Sequence, residues 1–301
     1  MKKLRYFSTF TGIGGLDWGL EKLGAACVGF SEIKESSIEI YKRHYNKHHN
    51  FGDITKIGVE KLPDFDVLTG GFPCQSFSIA GVRKGFGDRR GTMIFYLYDI
   101  LMTKKPKYAV LENVKGIATH DGGKTIKNVF KLLASAGYFV RVLMLNSAHY
   151  GSAQARERVV FVCRLREDFQ EVAPIKMDDT KRFRDVRDED TVGEELSGAS
   201  VARLERARKG FEIIGGYDRV NTLTTGVSSS GRRMLVTESR GGSWRRITPL
   251  EAERLQGFPD GWTEGSTRAE RWFALGNAVN CKMSEYLFTD YLPKVWPEMV
   301  K

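Results

Sequence analysis

An α/β fold with a mainly parallel sheet is predicted by two observations in the first half of the chain: short apolar runs recur, and amphipathic helical patterns separate them. Such alternation is typical of a sheet that carries helices on both faces. The apolar runs that we interpret as strands are Tyr6–Phe10, Ala26–Ser31, Phe65–Thr69, Tyr108–Leu111, Phe139–Leu145 and Val159–Cys163.

Two of the intervening segments show apolar residues at helical spacing. Each stripe is followed by a glycine, which is a common helix stop. The first stripe consists of Leu16, Leu20 and Leu23 before Gly24, and the second of Ile126, Val129, Phe130 and Leu133 before Gly137.

The βαβ rhythm is lost after about Leu165, where Arg, Asp, Glu, Gly and Ser dominate. We expect one basic helical piece near Val201–Lys209 in this stretch. Regular order resumes in the segment 248–257, where Thr, Pro and Glu form a capping-box pattern and a glycine follows. A last helix is expected near Lys282–Leu292, packed on the large domain.

Composition narrows the class of protein. The chain has 301 residues, of which 41% are hydrophobic and 28% charged, which suits a large globular domain with a smaller one. A net charge of +10 attracts polyanions such as nucleic acid, although a merely solvated basic surface is an equal alternative. No apolar segment has the pattern of a signal peptide or the length of a membrane span, so we expect a soluble, cytoplasmic protein.

The four cysteines are far apart and lack paired spacing, so neither a disulfide framework nor a metal site is indicated. Cys74 differs from the others because it lies in Gly70–Ser78, a turn with two glycines and a proline directly after an apolar strand. Inert packing is the ordinary interpretation of a lone cysteine. A strand-end turn can instead expose a thiol and stabilise its thiolate.

Other polar residues follow neighbouring strands. The glycine-rich loop Phe10–Gly15 follows the first strand and could hold a nucleotide-like ligand or could simply form a tight turn. Glu32 follows the second strand and could accept hydrogen bonds from ribose hydroxyls, and Asp53 could contact an adenine amino group. Either carboxylate could equally be a helix cap or a surface charge.

Two further motifs carry charge. Glu112-Asn113-Val114 ends a strand, which places a carboxyl group at the same sheet edge as Cys74. The segment Gln154–Arg158 places Arg156 and Arg158 two apart, hence on one face of a strand. They could grip a phosphate or steady a carboxylate, or serve only to protect a strand edge from aggregation.

Taken in this order, the motifs resemble those of the C5-cytosine DNA methyltransferase family. The resemblance covers about Tyr6–Leu165 and again Arg246 to the C-terminus. It rests on the loop Phe10–Gly15, Pro73-Cys74-Gln75, Glu112-Asn113-Val114, Gln154-x-Arg156-x-Arg158 and Gly276-Asn277-Ala278-Val279.

The resemblance implies a Rossmann-like S-adenosylmethionine methyltransferase domain at residues 1–165 with a smaller inserted target-recognition domain. The inserted domain would occupy residues 166–245, and residues 246–301 would return to the catalytic domain. Methyl transfer to C5 of a cytosine requires the base to be flipped out of duplex DNA.

Family roles carry over to the matching catalytic positions. Cys74 would attack C6 of the flipped base while Glu112 donates to N3. Arg158 would hold the pyrimidine O2, Arg156 would support the catalytic loop or a phosphate, and Asn113 would order the turn that bears Glu112.

The resemblance also implies S-adenosylmethionine as cofactor, with S-adenosylhomocysteine as product. Ile33 stands where family members often carry an aromatic residue for adenine stacking. The expected cofactor residues are Phe10, Gly12, Gly14, Gly15, Glu32, Ile33, Asp53, Ile54, Pro73, Asn277 and Ala278.

For DNA, the segment Ser76–Arg90 is expected to form a loop that closes over the flipped base. Arg240 and Arg245 are further candidates for phosphate or guanine contacts. The expected DNA-binding residues are Gln75, Ser78, Arg83, Lys84, Arg90, Thr222, Arg232 and Arg233.

Two alternatives remain open. A tRNA cytosine methyltransferase would use the same chemistry, but the long stretch 166–245 and the lack of that relative's Cys-Phe-Thr tripeptide favour DNA. A DNA-binding relative without activity is the other alternative, and the intact Cys74, Glu112 and Arg158 oppose it. We expect a monomer acting on duplex DNA. The recognition sequence, an accompanying restriction endonuclease and a bacterial or phage origin stay open.

Overall fold

A six-stranded sheet forms the centre of the molecule in the computed structural model, which describes residues 3–73, 93–167, 172–188, 195–197, 200, 211–224, 234–238 and 243–300. The strand order is β2-β1-β3-β4-β7-β5. Its strands are β1 Arg5–Thr9, β2 Ala26–Ser31, β3 Val67–Gly71, β4 Tyr108–Val114, β5 Tyr138–Asn146 and β7 Glu157–Leu165.

Five of these strands run in the same direction. β1 is parallel to β2 and to β3, and β3 is parallel to β4, whereas β7 is antiparallel to both β4 and β5. The mainly parallel α/β sheet predicted from the sequence is therefore confirmed. One antiparallel strand is inserted near its end.

Helices cover both faces of this sheet. The α-helices are α1 Asp17–Leu23, α2 Glu35–His44, α3 Met93–Lys104, α4 Lys124–Ser135, α5 Pro249–Gln256, α6 Arg268–Asn277, α7 Cys281–Tyr286 and α8 Leu292–Val295. Short 3₁₀ turns lie at Ile54–Lys56, Val59–Lys61, Lys115–Ala118, His120–Gly123, Ser147–His149, Phe183–Asp185 and Pro297–Met299.

Burial on both faces explains the continuous apolar strand sequences. Tyr6 packs into a cluster with the C-terminal residues Phe288 and Trp296. Its neighbour Phe7 points to the opposite face and packs with Leu97 of α3 and Leu133 of α4. Strands covered on both faces bury successive residues, so their sequences do not alternate with polar residues.

Several predicted helix ends are confirmed. α1 ends at Gly24 with φ of 83°, in the left-handed region. Thr248 caps α5 through a complete capping box with Glu251, and Gly257 ends that helix. Phe130 differs from the prediction, since it is 41% exposed rather than buried along its stripe.

The C-terminal helix contains a π-helical turn. α7 passes into a π-helical turn at Leu287–Tyr291 before α8 begins. The predicted helix near Lys282–Leu292 is therefore confirmed, with a π-helical turn inside it, and its packing against the large sheet is confirmed as well.

Between residues 166 and 245 the described chain forms short strands and one 3₁₀ turn, Phe183–Asp185. β8 Phe211–Ile214, β10 Met234–Glu238 and β11 Trp244–Arg246 form a small sheet. β6 Gln154–Ala155 and β9 Val220–Asn221 form a separate parallel pair. The basic piece expected near Val201–Lys209 lies outside the described residues, and among the helices that the structure describes none could cross a membrane.

Candidate active site

A cleft of about 640 Å³ opens where β1, β2, β3 and β4 end. The carboxyl ends of parallel strands meet at one sheet edge, which is the usual ligand site of such sheets. Of the predicted site residues, those that line the cleft are Phe10, Gly12, Glu32, Pro73, Glu112, Asn113, Arg156, Arg158, Thr222 and Asn277.

The first loop holds a carboxylate in a fixed position. Glu32 accepts hydrogen bonds at Oε2 from the Gly12 amide (2.8 Å), and at Oε1 from the amides of Ile33 (2.8 Å) and Lys34 (2.9 Å). Phe10, a non-glycine residue, has φ of 51°, a strained backbone conformation of the kind that clusters at functional sites.

Two other loop glycines contact protein rather than the cleft. A Cβ on Gly15 would collide with the carbonyl oxygen of Val279, so only glycine lets the C-terminal segment approach this closely. Gly14 lies against the rings of Tyr41 and Tyr45. Neither glycine lines the cleft; they fix the loop against the residues behind it.

The residues expected at the adenine end lie beside the cleft rather than in its lining. Ile33 is 70% exposed, which leaves an aliphatic face open for a ring, whereas Ile54 is buried. Asp53 caps the turn Ile54–Lys56 by accepting from the Thr55 amide and hydroxyl. These hydrogen bonds lower the pKa of Asp53. Ala278 is buried at the end of α6.

A buried ion pair lies in the cleft. Arg158 Nε donates to Glu112 Oε1 at 2.7 Å, and the two residues are 7% and 8% exposed. Arg158 also donates to the Glu157 carbonyl. Among the described residues no donor is bonded to Glu112 Oε2, so one carboxyl oxygen faces the cleft.

Asn113 links the Glu112 strand to the segment that leads to the predicted nucleophile. Its side-chain amide donates to the Phe72 carbonyl at 2.8 Å, two residues before Cys74. Its Oδ1 accepts from the Val114 amide. Cys74 itself lies outside the described residues, as do Gln75, Ser78, Arg83, Lys84, Arg90, Arg232, Arg233 and Arg240.

Among the described residues Arg156 holds main-chain oxygens, and the catalytic loop that it was expected to support lies outside those residues. Its guanidinium is 2% exposed and donates to the carbonyls of Leu223 (2.9 Å) and Gly276 (3.1 Å). Burial lowers the pKa of Arg156. The structure thus joins Arg156 to the stretch beyond residue 165 and to the C-terminal segment.

Arg245 corrects another expectation. It is 3% exposed and donates to both carboxylate oxygens of Glu251, so the prediction that it contacts DNA is wrong. Sequence alone does not separate a buried, paired arginine from one on a groove-facing surface.

Sequence reasoning missed Lys34 and Phe273 among the residues of this cleft. Lys34 and Phe273 face each other on its walls, with Lys34 Nζ 5.3 Å from the ring centroid. Leu223 also lines the cleft beside Thr222, and the resemblance places this pair near the flipped base. The only sequence signal for Lys34 was its place two residues after Glu32, and for Phe273 its place one helical turn before Asn277.

The arrangement can serve three chemical purposes. The oriented Glu32 carboxylate can accept from hydroxyls, the open Glu112 oxygen can carry a proton, and Arg158 can donate to a second acceptor on the same ligand. Among the described residues no cluster of His, Cys, Asp and Glu could hold a metal ion.

A family model described as C-5 cytosine-specific DNA methylase matches residues 4–292. The type II methyltransferase M.NlaX of Neisseria lactamica is 36% identical over 287 residues, covering 90% of each chain. The type II methyltransferase M.HhaI of Haemophilus parahaemolyticus is 30% identical, covering 94% of this chain and 93% of that relative.

Solved structures share the fold. A methyltransferase of Entamoeba histolytica, EhMeth, superposes with a TM-score of 0.79 at 20% identity, covering 98% of this chain and 99% of its own. A putative DNA modification methyltransferase from a prophage of E. coli gives a TM-score of 0.73 at 20% identity, covering 96% and 99% of the two chains.

Proposed function

The chain belongs to the C-5 cytosine-specific DNA methylase family and transfers methyl groups from S-adenosylmethionine to cytosine C5 in DNA; we propose that Cys74 is its nucleophile and Glu112 its acid. The observation that carries this proposal is the Glu112–Arg158 pair, which leaves one carboxyl oxygen open in the cleft. Asn113 ties this strand to the Phe72 carbonyl, so Cys74 follows within two residues.

The cleft residues fit the cofactor. Glu32 is held by three backbone amides with its carboxylate at the cleft, and Gly12, with no side chain, leaves open space beside it. We propose that Glu32 binds the ribose hydroxyls, that Ile33, Asp53 and Ile54 form the adenine end, and that Asn277 and Ala278 close the opposite end. Phe10, Gly12 and Pro73 would shape the floor, and Gly14 and Gly15 would fix the cofactor loop from behind.

The chemistry that follows is proposed from these positions. The thiolate of Cys74 forms a bond to C6, the C5–C6 double bond shifts to C4–C5, and the electron pair of the C4–N3 double bond takes a proton from Glu112 Oε2, so C5 becomes the nucleophilic carbon of an enamine. S-adenosylmethionine supplies the electrophilic methyl group that C5 needs. A base supplied by solvent then takes the C5 proton, the C5–C6 double bond re-forms, the Cys74 thiolate leaves C6, and N3 returns its proton to Glu112.

Arg158 has two purposes in this proposal. Its Nε holds Glu112 in place, and its remaining guanidinium N–H groups can donate to the pyrimidine O2. The base must leave the duplex to reach these groups, because C5 is shielded by stacking, at a cost of a few kcal/mol.

The inserted stretch 166–245 is proposed as the target-recognition region between a catalytic domain at 1–165 and the returning segment 246–301. Thr222 lines the cleft and is proposed to contact DNA. The proposal also includes contacts from Gln75, Ser78, Arg83, Lys84, Arg90, Arg232 and Arg233. A cytoplasmic monomer that accompanies a restriction endonuclease in function, without a stable complex, fits the type II relatives.

The test is transfer of labelled methyl groups from S-adenosylmethionine to unmethylated duplex DNA, with structured RNA and the Cys74→Ser protein in parallel. Label in DNA that is absent with Cys74→Ser and maps to one cytosine context supports the proposal. Label only in RNA, or equal transfer by Cys74→Ser, contradicts it. Unchanged melting of the wild-type chain with S-adenosylhomocysteine would contradict the cofactor site.

A further inference from the structure

One residue of the inserted stretch, Leu223, is held by side chains from a different segment. Its amide donates to Gln154 Oε1 at 2.9 Å, and its carbonyl accepts from Arg156 Nη1 at 2.9 Å. Leu223 is 1% exposed, while its neighbours Thr222 and Thr224 line the cleft. Both main-chain polar groups of a buried loop residue are therefore satisfied by two side chains of the segment 154–156.

More contacts join the same two segments. β6 pairs in parallel with β9 through Gln154 with Val220 and Ala155 with Asn221. The Thr222 hydroxyl donates to the Ala155 carbonyl at 3.0 Å. The inserted stretch thus adds a strand beside the segment that leads into Arg158.

Gln154 is buried, and both the oxygen and the nitrogen of its side-chain amide form hydrogen bonds. It is 0% exposed, and its Nε2 donates to the Leu255 carbonyl at 3.2 Å. That carbonyl also accepts from the Ser152 hydroxyl and the Asn280 amide, so it stays bonded without Gln154. The Leu223 amide donates to Gln154 Oε1. Replacing Gln154 with an apolar residue would therefore leave the Leu223 amide without this acceptor.

The segment 154–158 consequently holds three parts of the cleft with alternate side chains. Gln154 holds the inserted stretch, Arg156 holds that stretch and the Gly276 carbonyl, and Arg158 holds Glu112. Because alternate residues of an extended segment share a face, one short segment can set the spacing between these parts.

We propose that Gln154 is a positioning residue, which fixes Leu223 so that Thr222 and Thr224 stand at a set distance from Glu112 and Arg158 when a flipped base enters. This inference rests on the proposed function. In this proposal the inserted stretch has two roles: it recognises the DNA sequence, and it forms a fixed wall of the site that holds the flipped base. Misplacement of such a wall by about 1 Å is enough to slow a reaction about 100-fold.

The test compares three full-length variants. Gln154→Met keeps the volume but removes the acceptor, and Gln154→Glu keeps an acceptor oxygen for the Leu223 amide. Tyr138→Phe is the matched control, because it removes a buried hydrogen bond to a main-chain carbonyl, that of Pro106, on the edge strand away from the cleft.

We expect Gln154→Met to lower kcat/KM for DNA about 10- to 100-fold. Affinity for S-adenosylhomocysteine should stay near the wild-type value, and Gln154→Glu should recover most of the activity. Three results would overturn the proposal: a loss no larger than that of Tyr138→Phe, no recovery with Gln154→Glu, or a parallel loss of S-adenosylhomocysteine affinity.

Hydrogen exchange at the Leu223 amide decides the positioning role without any enzyme assay. Exchange should become about tenfold faster in Gln154→Met, since one buried hydrogen bond is lost, and should stay slow in Tyr138→Phe. Unchanged exchange at Leu223 would overturn the role of Gln154. Wild-type protein that fails to methylate DNA would contradict the proposed function while this exchange result still stands.

Discussion

Two buried arginine–glutamate pairs lie in different regions of the molecule and differ in how fully the carboxylate is bonded. In the cleft, Glu112 accepts a hydrogen bond from Arg158 Nε at Oε1, and none of the described residues donates to its Oε2. At the junction of the inserted stretch with α5, Glu251 receives two Arg245 nitrogens, and also the amides of Asp188 and Thr248. The pairs are chemically alike, but one carboxylate is left with an open oxygen and the other is saturated.

The difference shows which buried ion pair has, among the described residues, a carboxyl oxygen available for chemistry. A saturated carboxylate has no lone pair left for a proton or a ligand, so Glu251 can only hold structure together. Glu112 keeps an oxygen toward a cavity that a base can enter. Judged by burial and ion pairing alone, Glu251 would look more functional than Glu112. The number of hydrogen bonds that each carboxylate accepts is therefore a better guide to a catalytic role.

The largest effect is expected at the open pair. Glu112→Gln should lower kcat about 10²- to 10⁴-fold, because the amide cannot give a proton to N3. The free energy of unfolding should fall by less than in the corresponding change at Glu251, because Arg158 lines the cleft, where water can solvate the guanidinium that has lost its counter-charge. Single-turnover methyl transfer together with urea unfolding checks both expectations. A stability loss as large as the activity loss would remove the contrast with Glu251.

At the saturated pair the expected effect is on stability. Glu251→Gln leaves Arg245 buried without its counter-charge, which should cost about 3–5 kcal/mol of unfolding free energy. Equilibrium urea unfolding measures this loss. Activity per folded molecule should remain close to wild type, and an activity loss like that of Glu112→Gln would contradict the purely structural role.

A third buried carboxylate, that of Asp17, extends the comparison. It accepts hydrogen bonds from hydroxyl groups instead of from a guanidinium. Its oxygens accept from the Ser8 and Tyr41 hydroxyls, and it is 0% exposed. Desolvation raises the pKa of Asp17 from 3.8 to about 6, although both hydroxyl hydrogen bonds act to lower it. An unpaired buried carboxylate therefore favours its protonated form.

The sign of the pH effect follows from this raised pKa. The folded chain binds the Asp17 proton more tightly than the unfolded chain, so this stabilisation is complete below pH 3.8 and is lost as the pH rises through 6. Relative to Asp17→Asn, wild type should lose about 3 kcal/mol across this range. Urea unfolding of both proteins at several pH values is the measurement. A constant difference between them would contradict the shift.

The smallest effect concerns the cap beside the saturated pair. Thr248 accepts from the Glu251 amide, and Thr248→Ala should cost about 1 kcal/mol of stability, as the loss of an N-cap does elsewhere. Thermal unfolding detects this change. A loss comparable to that of Glu251→Gln would mean that the cap, and not the ion pair, holds this junction.

Much of the fold could be predicted because its signals are local. The apolar runs gave strands within a few residues of β1, β2 and β4, and Gly24 and Thr248 marked helix ends through their own conformational and capping preferences. The sequence pattern gave no sign of the π-helical turn at Leu287–Tyr291 inside the C-terminal helix, since its apolar residues fit an ordinary helix equally well.

The candidate site was predictable in part for the same reason. Glu32, Glu112 and Asn113 follow strands, and strand ends of a parallel sheet converge by topology. The partners of Arg156 and Gln154 lie more than sixty residues away in the irregular stretch, at Leu223, and nothing in local spacing reveals such a contact. For the same reason the sequence did not separate buried Arg245 from a DNA-facing arginine.

The most direct test of the central claim, that Cys74 is the nucleophile of this cleft, is covalent trapping on duplex DNA that carries 5-fluorocytosine. Fluorine in place of the C5 hydrogen cannot leave as a proton does, so the Cys74–C6 bond persists after methyl transfer. We predict a complex that resists denaturation, requires S-adenosylmethionine, maps to Cys74 by peptide analysis and is absent with Cys74→Ser. An adduct at Cys27, Cys163 or Cys281, or an undiminished complex with Cys74→Ser, would contradict the account.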